Sequence, residues 1–264
     1  MTMKKEKYTF EDLVELMGRL RGDNGCPWDK EQTHESLKRY MVEETYEALE
    51  AIDEGDDNGI KEELGDVLLQ VVFHAQIAQE EGRFDSGDVV DGICRKIIER
   101  HTHVFGDVIA EDSEAVLKNW DKIKNKSKGL NSHTEKINKI PKTYPALLRS
   151  LKIQEKAAKA GFDWDDADGA IEKTMEEIGE FMEACKEKDR DAIRSEMGDL
   201  FFSLVNVCRF MDIEPEITLN ETSDRFIKRF TFIEDKCIKD GRSMEDMTLA
   251  ELDAIWDQAK EAGL

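Results

Sequence analysis

Two acidic strings in this chain carry residue types that could do chemistry. Glu43-Glu44-Thr45-Tyr46-Glu47 is followed by Glu63-Leu64-Gly65-Asp66, and Glu176-Glu177-Ile178-Gly179-Glu180 by Glu196-Met197-Gly198-Asp199. Each block recurs at the same offset of 133 residues, Glu43 to Glu176 and Glu63 to Glu196. On a helix, Glu43 and Glu47 stand at i,i+4, and Glu44 and Glu47 at i,i+3, so all three crowd one face. Glu63 and Asp66 are again i,i+3. A short loop from Gly55 to Asn58 makes the two helices antiparallel neighbours, so five carboxylates can converge across one helix pair. Facing inward they would repel one another and lose hydration, at several kcal/mol per ion. A hard divalent cation relieves both penalties, and carboxylate oxygens suit Mg²⁺ or Mn²⁺.

Taken alone, either string reads better as a solvated helix face, because 60 residues of the chain are acidic. The duplication shifts the balance, since register, glycines and apolar flanks all repeat. Leu64, Val67, Leu68, Val71 and Ala75 form one apolar stripe beside Asp66, and Leu69 and Phe73 a second on its far side. Leu200, Phe201, Leu204 and Cys208 flank Asp199 on one side and Phe202 on the other. This pattern predicts carboxylates in a bundle interior. Gly65 and Gly198 sit mid-helix, where glycine costs roughly 1 kcal/mol against alanine. Close approach of another element or a ligand would explain both.

Basic residues are the second constellation. Arg225, Lys228 and Arg229 fall at i, i+3, i+4 on a helix that also carries Phe226 and Phe230, and Arg95, Lys96 and Arg100 do something similar. Ordinary pairing with the acidic surplus is one reading. Beside a metal–carboxylate site, the cluster is instead a candidate phosphate clamp. Trp256 could stack on a base or simply pack its amphipathic helix. A di-iron bundle needs two Glu-x-x-His motifs, and only Glu31 to His34 fits. There is no Walker A loop, GxGxxG or GxSxG.

The elements that must position these groups are helical nearly throughout, and the class is all-α. Hydrophobic periodicity predicts helices near 9–21, 33–54, 59–81, 87–103, 113–124, 146–160, 167–187, 189–211, 216–239 and 248–261. Capping boxes are expected at Thr9 with Asp12, Thr218 with Glu221, and Thr248 with Glu251. A basic segment with Ser127, Gly129, Ile140-Pro141 and Tyr144-Pro145 reads as a linker. The expected layout is an N-terminal domain over 1–124, a linker over 125–145 and a C-terminal domain over 146–264. A period this long signals a duplicated domain rather than a solenoid.

Composition bounds the partners. A net charge of −22 argues against general affinity for nucleic-acid backbones or anionic membranes. Any phosphate-bearing ligand must therefore be met by bound metal or a local cluster of cations. The five cysteines form no CxxC pair. The charged N-terminus lacks a signal-peptide core, and no apolar run reaches membrane-spanning length, so a cytoplasmic protein is expected.

These residues resemble the MazG family of nucleoside triphosphate pyrophosphohydrolases. The resemblance rests on the doubled acidic strings, Cys26-Pro27-Trp28-Asp29, Glu81-Gly82-Arg83-Phe84-Asp85 and His103-Val104-Phe105-Gly106. Gly161-Phe162-Asp163-Trp164 and Arg225-Phe226-Ile227-Lys228-Arg229-Phe230 extend it over nearly the whole chain. It implies two tandem helical bundles completed by homodimerisation, and Mg²⁺-dependent hydrolysis of NTPs or dNTPs, standard or non-standard, to monophosphate and pyrophosphate. The metal residues it implies are Glu177, Glu180, Glu196 and Asp199, with Glu44, Glu47, Glu63 and Asp66 in the first half. Glu176 or Glu177 would accept the proton of the attacking water. Lys173, Arg225, Lys228 and Arg229 would meet phosphates, and Trp256 the base. Tyr40 stands where the second half has Lys173, which weakens nucleotide binding by the first half more than metal binding. A narrower dUTP or phosphoribosyl-ATP pyrophosphohydrolase, and a nucleotide-binding regulatory module without turnover, are the alternatives.

Overall fold

A computed structural model describes residues 5–106, 116 and 132–264. The described residues form helices joined by turns, with no strand among them. The chain divides into two compact units, Met1–Ser127 and Lys128–Leu264.

In the first unit, α1 (Phe10–Arg21) opens on the expected Thr9–Asp12 capping box. A five-residue α2 (Pro27–Glu31), not anticipated from periodicity, starts on a proline at its first turn. The long antiparallel pair α3 (His34–Glu54) and α4 (Asp57–Glu80) dominates the packing. Gly55, in the left-handed region at φ 67°, ends α3 and lets the chain reverse within two residues. α1 lies against α4, and Met17, Leu37, Val72, Phe73 and Ile77 form the core there. The predicted helix 87–103 is α5 (Ser86–Arg100), broken at His101 before a single turn, α6 (Thr102–Phe105). The expected helix 113–124, apart from residue 116, and residues 125–131 of the linker fall outside the described residues.

In the second unit, α7 (His133–Asn138) lies within the segment read as linker. α8 (Ala146–Ala158) follows Pro145 and rests on α10 (Arg190–Phe210), which pairs with α9 (Ala167–Glu187) as α4 pairs with α3. α11 (Pro215–Lys239) starts on Pro215, so the Thr218–Glu221 pair expected to begin it lies inside the helix. Proline with its fixed φ marks that start instead. α12 (Leu249–Glu261) opens on the expected Thr248–Glu251 box and packs on α11 around Ile233, Cys237 and Ile255.

Two expectations about surroundings are corrected within the single chain. Leu64 and Leu68, and likewise Phe201 and Leu204, are exposed, as is Phe202, so these parts of the flanking stripes are uncovered, whereas Phe73 and Ala75 of the stripes beside Asp66 are buried. A Cβ at Gly65 or Gly198 would meet nothing within 4 Å among the described residues, so none of the described elements approaches either glycine. On α4 the buried side is the other stripe, carrying Val72, Phe73 and Ile77.

Candidate metal centre and adjoining cavity

Helix pairing brings the carboxylates together as their spacing requires. Glu44 from α3 joins Glu63 and Asp66 from α4, with carboxylate oxygens all within 4.8 Å of one another. Glu177 from α9 joins Glu196 and Asp199 from α10 in the same way. Glu47 and Glu180 fall outside these triads, beside them. Glu47 lies close enough to Glu63 to help raise its carboxyl above the ordinary range.

Electrostatics bear the mark of crowding. Partial burial, then Asp66, Glu47 and Glu63, push the Glu44 carboxyl above its ordinary range. Desolvation, then Glu47 and Asp66, raise Glu63. Glu180 is raised chiefly by desolvation, against the opposing pull of Lys173. In the second unit the repulsion is partly answered by the chain itself. Lys173 pairs with Glu176 at 2.8 Å and with the buried Glu177 at 2.7 Å. Both partners hold the Lys173 ammonium above its usual range, Glu176 first. At the matching place in the first unit, the Tyr40 hydroxyl accepts from Arg39 instead. Three convergent hard-oxygen donors fit a divalent cation in each unit, although the donor set alone does not choose between Mg²⁺ and Mn²⁺.

Beside the second triad lies a cavity of about 660 Å³. Glu177, Asp199 and Lys173 form one end, and Phe162, Trp164 and Phe202 give it aromatic walls. Trp164 reaches its place because residue 169 is glycine: a Cβ there would stand 2.3 Å from the Trp164 ring. Gly161, at φ +87°, makes the preceding turn. Gln154, Ser203, Asn206 and Arg209 supply polar groups. Arg209 is clamped on Asp163, with one contact of 3.0 Å, and its Nε donates to the Asn206 Oδ1 at 2.9 Å.

The repeat explains why the two units differ here. At the 133-residue offset, Ala170 replaces Leu37, Ser203 replaces Gln70 and Asn206 replaces Phe73. Leu37 and Phe73 are fully packed core residues of the first unit, and Tyr40 and Leu69 rest on them. Small and polar residues thus open in the second unit what large apolar ones fill in the first. The aromatic walls and the Gln154–Asn206–Arg209 set were not singled out as site residues from sequence. The places where the duplicated halves change from large to small were the available signal.

The expected basic cluster lies elsewhere in the second unit. Arg225, Lys228, Arg229 and Trp256 are not among the cavity-lining residues. Trp256 packs on Phe226, with ring centres 5.2 Å apart, and the Arg229 guanidinium sits 5.3 Å over its ring. Arg229 Nε also donates to the Leu264 carbonyl at 2.8 Å. Arg225 Nη2 donates to Thr222 Oγ1, and Lys228 is exposed.

Paired helices that converge carboxylates, with an aromatic-lined cavity beside one cluster, define an all-helical class of protein whose acidic clusters are consistent with divalent-metal binding. A family model, the MazG nucleotide pyrophosphohydrolase domain, matches residues 32–105 and 167–237, one segment in each unit. The chain is 46% identical, over 98% of both chains, to the nucleoside triphosphate pyrophosphohydrolase/pyrophosphatase MazG of Thermotoga maritima. It is 41% identical to the nucleoside triphosphate pyrophosphohydrolase of Escherichia coli, over 95% of this chain and 97% of that one. It also matches an uncharacterised Bacillus subtilis protein, YabN, at 48% identity over 98% of this chain but 54% of the longer relative. This chain belongs to the MazG nucleotide pyrophosphohydrolase family.

Proposed function

We infer that this chain hydrolyses nucleoside triphosphates to nucleoside monophosphate and pyrophosphate, and that the second unit does so. The observation that carries the reading is the cavity that opens directly onto the Glu177–Glu196–Asp199 triad. The nucleoside enters between Phe162, Trp164 and Phe202, and the phosphates extend toward the carboxylates. Glu177, Glu196 and Asp199, with Glu180 beside them, would hold Mg²⁺ or Mn²⁺. Such an ion supplies charge neutralisation at phosphate oxygens and a polarised water. Glu176 or Glu177 accepts the proton as the water oxygen bonds to the α-phosphorus. The bond from that phosphorus to the bridging oxygen breaks, and pyrophosphate leaves with the electron pair. Lys173, already poised between Glu176 and Glu177, turns to the charge developing on the leaving group.

The first unit keeps the triad of Glu44, Glu63 and Asp66, with Glu47 nearby, as a metal cradle. Its core is filled by Leu37 and Phe73 where the second unit has Ala170 and Asn206. Arg225, Lys228, Arg229 and Trp256 form one cationic and aromatic face on α11 and α12. We place that face on the nucleotide bound by a second copy of the chain. Exposed Phe226, Ile227 and Phe230 on the same helix support such self-association, because isolated proteins rarely leave so much apolar surface in water.

Asp199→Ala, assayed with an NTP panel and Mg²⁺, tests the assignment. Release of pyrophosphate should fall by at least about 100-fold with the helical circular dichroism unchanged. Glu63→Ala should fall far less. Unchanged turnover in Asp199→Ala, or loss in Glu63→Ala alone, would move catalysis out of the second unit. A narrow dUTP or phosphoribosyl-ATP specificity would appear in the same panel as turnover of one nucleotide only. Binding without monophosphate would identify a regulatory module.

A further inference from the structure

Asn206 is the polar group that the second unit places where the first unit has Phe73. It projects from α10, is 6% exposed and lines the cavity. Arg209, one turn further along the same helix, donates from Nε to the Asn206 Oδ1 at 2.9 Å. A guanidinium has no acceptor, so this contact fixes which end of the amide is the oxygen. Asp163, in the segment before α9, holds the guanidinium in turn, accepting from Nη1 at 3.0 Å and from Nη2 as well. Nδ2 is therefore the end of the amide left over, and it donates to none of the described residues. The Phe202 carbonyl, one turn back, is engaged by Gln154 Nε2 at 2.7 Å. Among the described side chains of the second unit, the atoms both sealed and unpaired are Arg149 Nε and Gln154 Oε1. Nδ2 is not one of them, so a molecule in the cavity can reach it. In the first unit Phe73 and Gln76 stand at the positions of Asn206 and Arg209, so the clamp and its open donor belong to the hollow half alone. A side chain more than nine-tenths buried, held by a charged clamp and left with an open donor, is set up to meet a ligand.

We propose that Asn206 selects the base of the bound nucleotide, with Nδ2 donating to an acceptor on the base edge. The inference rests on the reading that the cavity receives the nucleoside. The ligand class is a nucleoside triphosphate whose base turns a carbonyl oxygen or a ring nitrogen toward α10. The rings of Phe162, Trp164 and Phe202 take any flat heterocycle and discriminate little. The donor discriminates, because a base without an acceptor would displace water from Nδ2 and leave it unpaired. Sites built to hydrogen-bond a substrate reject an analogue lacking the partner group much more strongly than an apolar pocket can. Each of the four standard bases carries acceptors of this kind. One donor therefore selects for a polar base edge rather than for a single base.

Two matched pairs of substrates test this, purine riboside triphosphate against indole riboside triphosphate and UTP against its difluorotoluene isostere. The purine and indole rings both lack N–H donors and differ in the ring nitrogens that accept. Pyrophosphate release is measured with wild type, Asn206→Leu, Asn206→Asp and Asp199→Ala. The wild type should favour the acceptor-bearing member of each pair by about tenfold or more in kcat/KM. Asn206→Leu, similar in shape but without the donor, should bring both ratios close to one by lowering turnover of the acceptor-bearing member. Asn206→Asp keeps an oxygen for Arg209 and replaces only Nδ2, and it should do the same for the purine pair. If one substitution prevents folding, as judged by circular dichroism, the other decides. A merely structural role for Asn206 predicts equal loss for both members of a pair, which would overturn the proposal. So would a wild-type ratio near one, a result that needs no variant to fold. If wild type releases pyrophosphate and Asp199→Ala does not, a flat ratio sinks the role of Asn206 alone. If no nucleotide yields pyrophosphate, or Asp199→Ala keeps full turnover, both readings fall together.

Discussion

Lys173 shows how a single side chain links charge, fold and chemistry. Its ammonium neutralises part of a carboxylate cluster that includes the buried Glu177. Removing it leaves that carboxylate buried beside Glu196 and Asp199 without its cation. Lys173→Met should therefore lower the thermal midpoint of the metal-free protein, and saturating Mg²⁺ should recover most of the loss by supplying the missing charge. Differential scanning fluorimetry with and without Mg²⁺ checks this; a loss that Mg²⁺ leaves untouched would show that Lys173 supports packing rather than the cradle. In the first unit the like-charge strain falls on Glu44. Because its folded pKa is raised, it favours the folded state most below the ordinary carboxylate range. That advantage fades as pH rises through the raised value. At pH 7 without divalent metal, Glu44→Gln should accordingly raise the midpoint, by about 2 °C.

Among the elements, α3 and α4 are joined near the start of α3 by two histidines. His34 and His74 stack with ring centres 5.0 Å apart and meet Nδ1 to Nδ1 at 2.7 Å. Arg83 can only donate, and it donates to His34 Nε2, so the proton of neutral His34 lies on Nδ1 and points at His74. Protonating either ring sets donor against donor. Burial first, and then His34, push the His74 pKa down. A histidine with a depressed folded pKa contributes stability that is present at higher pH and is lost as pH falls through the unfolded value, about 6.5, toward the folded one. The first unit should thus lose stability below about pH 6.5, and His74→Phe should flatten that dependence in urea melts taken from pH 5 to 8. At the other end of the chain, the α12 cap is an independent device. Thr248→Ala should cost about 1 kcal/mol by removing the hydroxyl that accepts from Glu251 N.

For the whole molecule, the proposed self-association rests on the apolar surface that the described residues leave uncovered. Phe201 and Leu204 on α10 follow the bare glycine at 198 by three and six residues and are exposed at 54% and 45%. Leu204→Glu should shift the protein toward monomer in sedimentation velocity and reduce turnover with it, if α11 reaches a second copy. A monomeric wild type at micromolar concentration would count against that arrangement. This is also where reading the sequence stopped short. Helix periods, the Thr9 and Thr248 boxes and the convergence of carboxylates across each helix pair are local or repeat-encoded patterns, which spacing carries. The helix expected over 216–239 is α11, but the Thr218–Glu221 capping box does not open it, because the chain enters the helix at Pro215 three residues earlier. The stripes beside Asp66 and Asp199 were read as interior because periodicity reports an apolar face, not what covers it. Gln154, and the place of Trp164 and Asn206 on a cavity wall, escaped notice because a cavity is made by elements distant in sequence.

The exchange of Leu37 for Ala170 and of Phe73 for Asn206 gives the chain something few proteins carry, a matched control for its own cavity. Both halves share helix register and carboxylates, yet one is solid where the other is hollow. Restoring the bulk with Ala170→Leu should close the hollow half to substrate while improving its packing. Stability and turnover would then move in opposite directions, measuring within a single molecule how much rigidity was given up to admit a ligand.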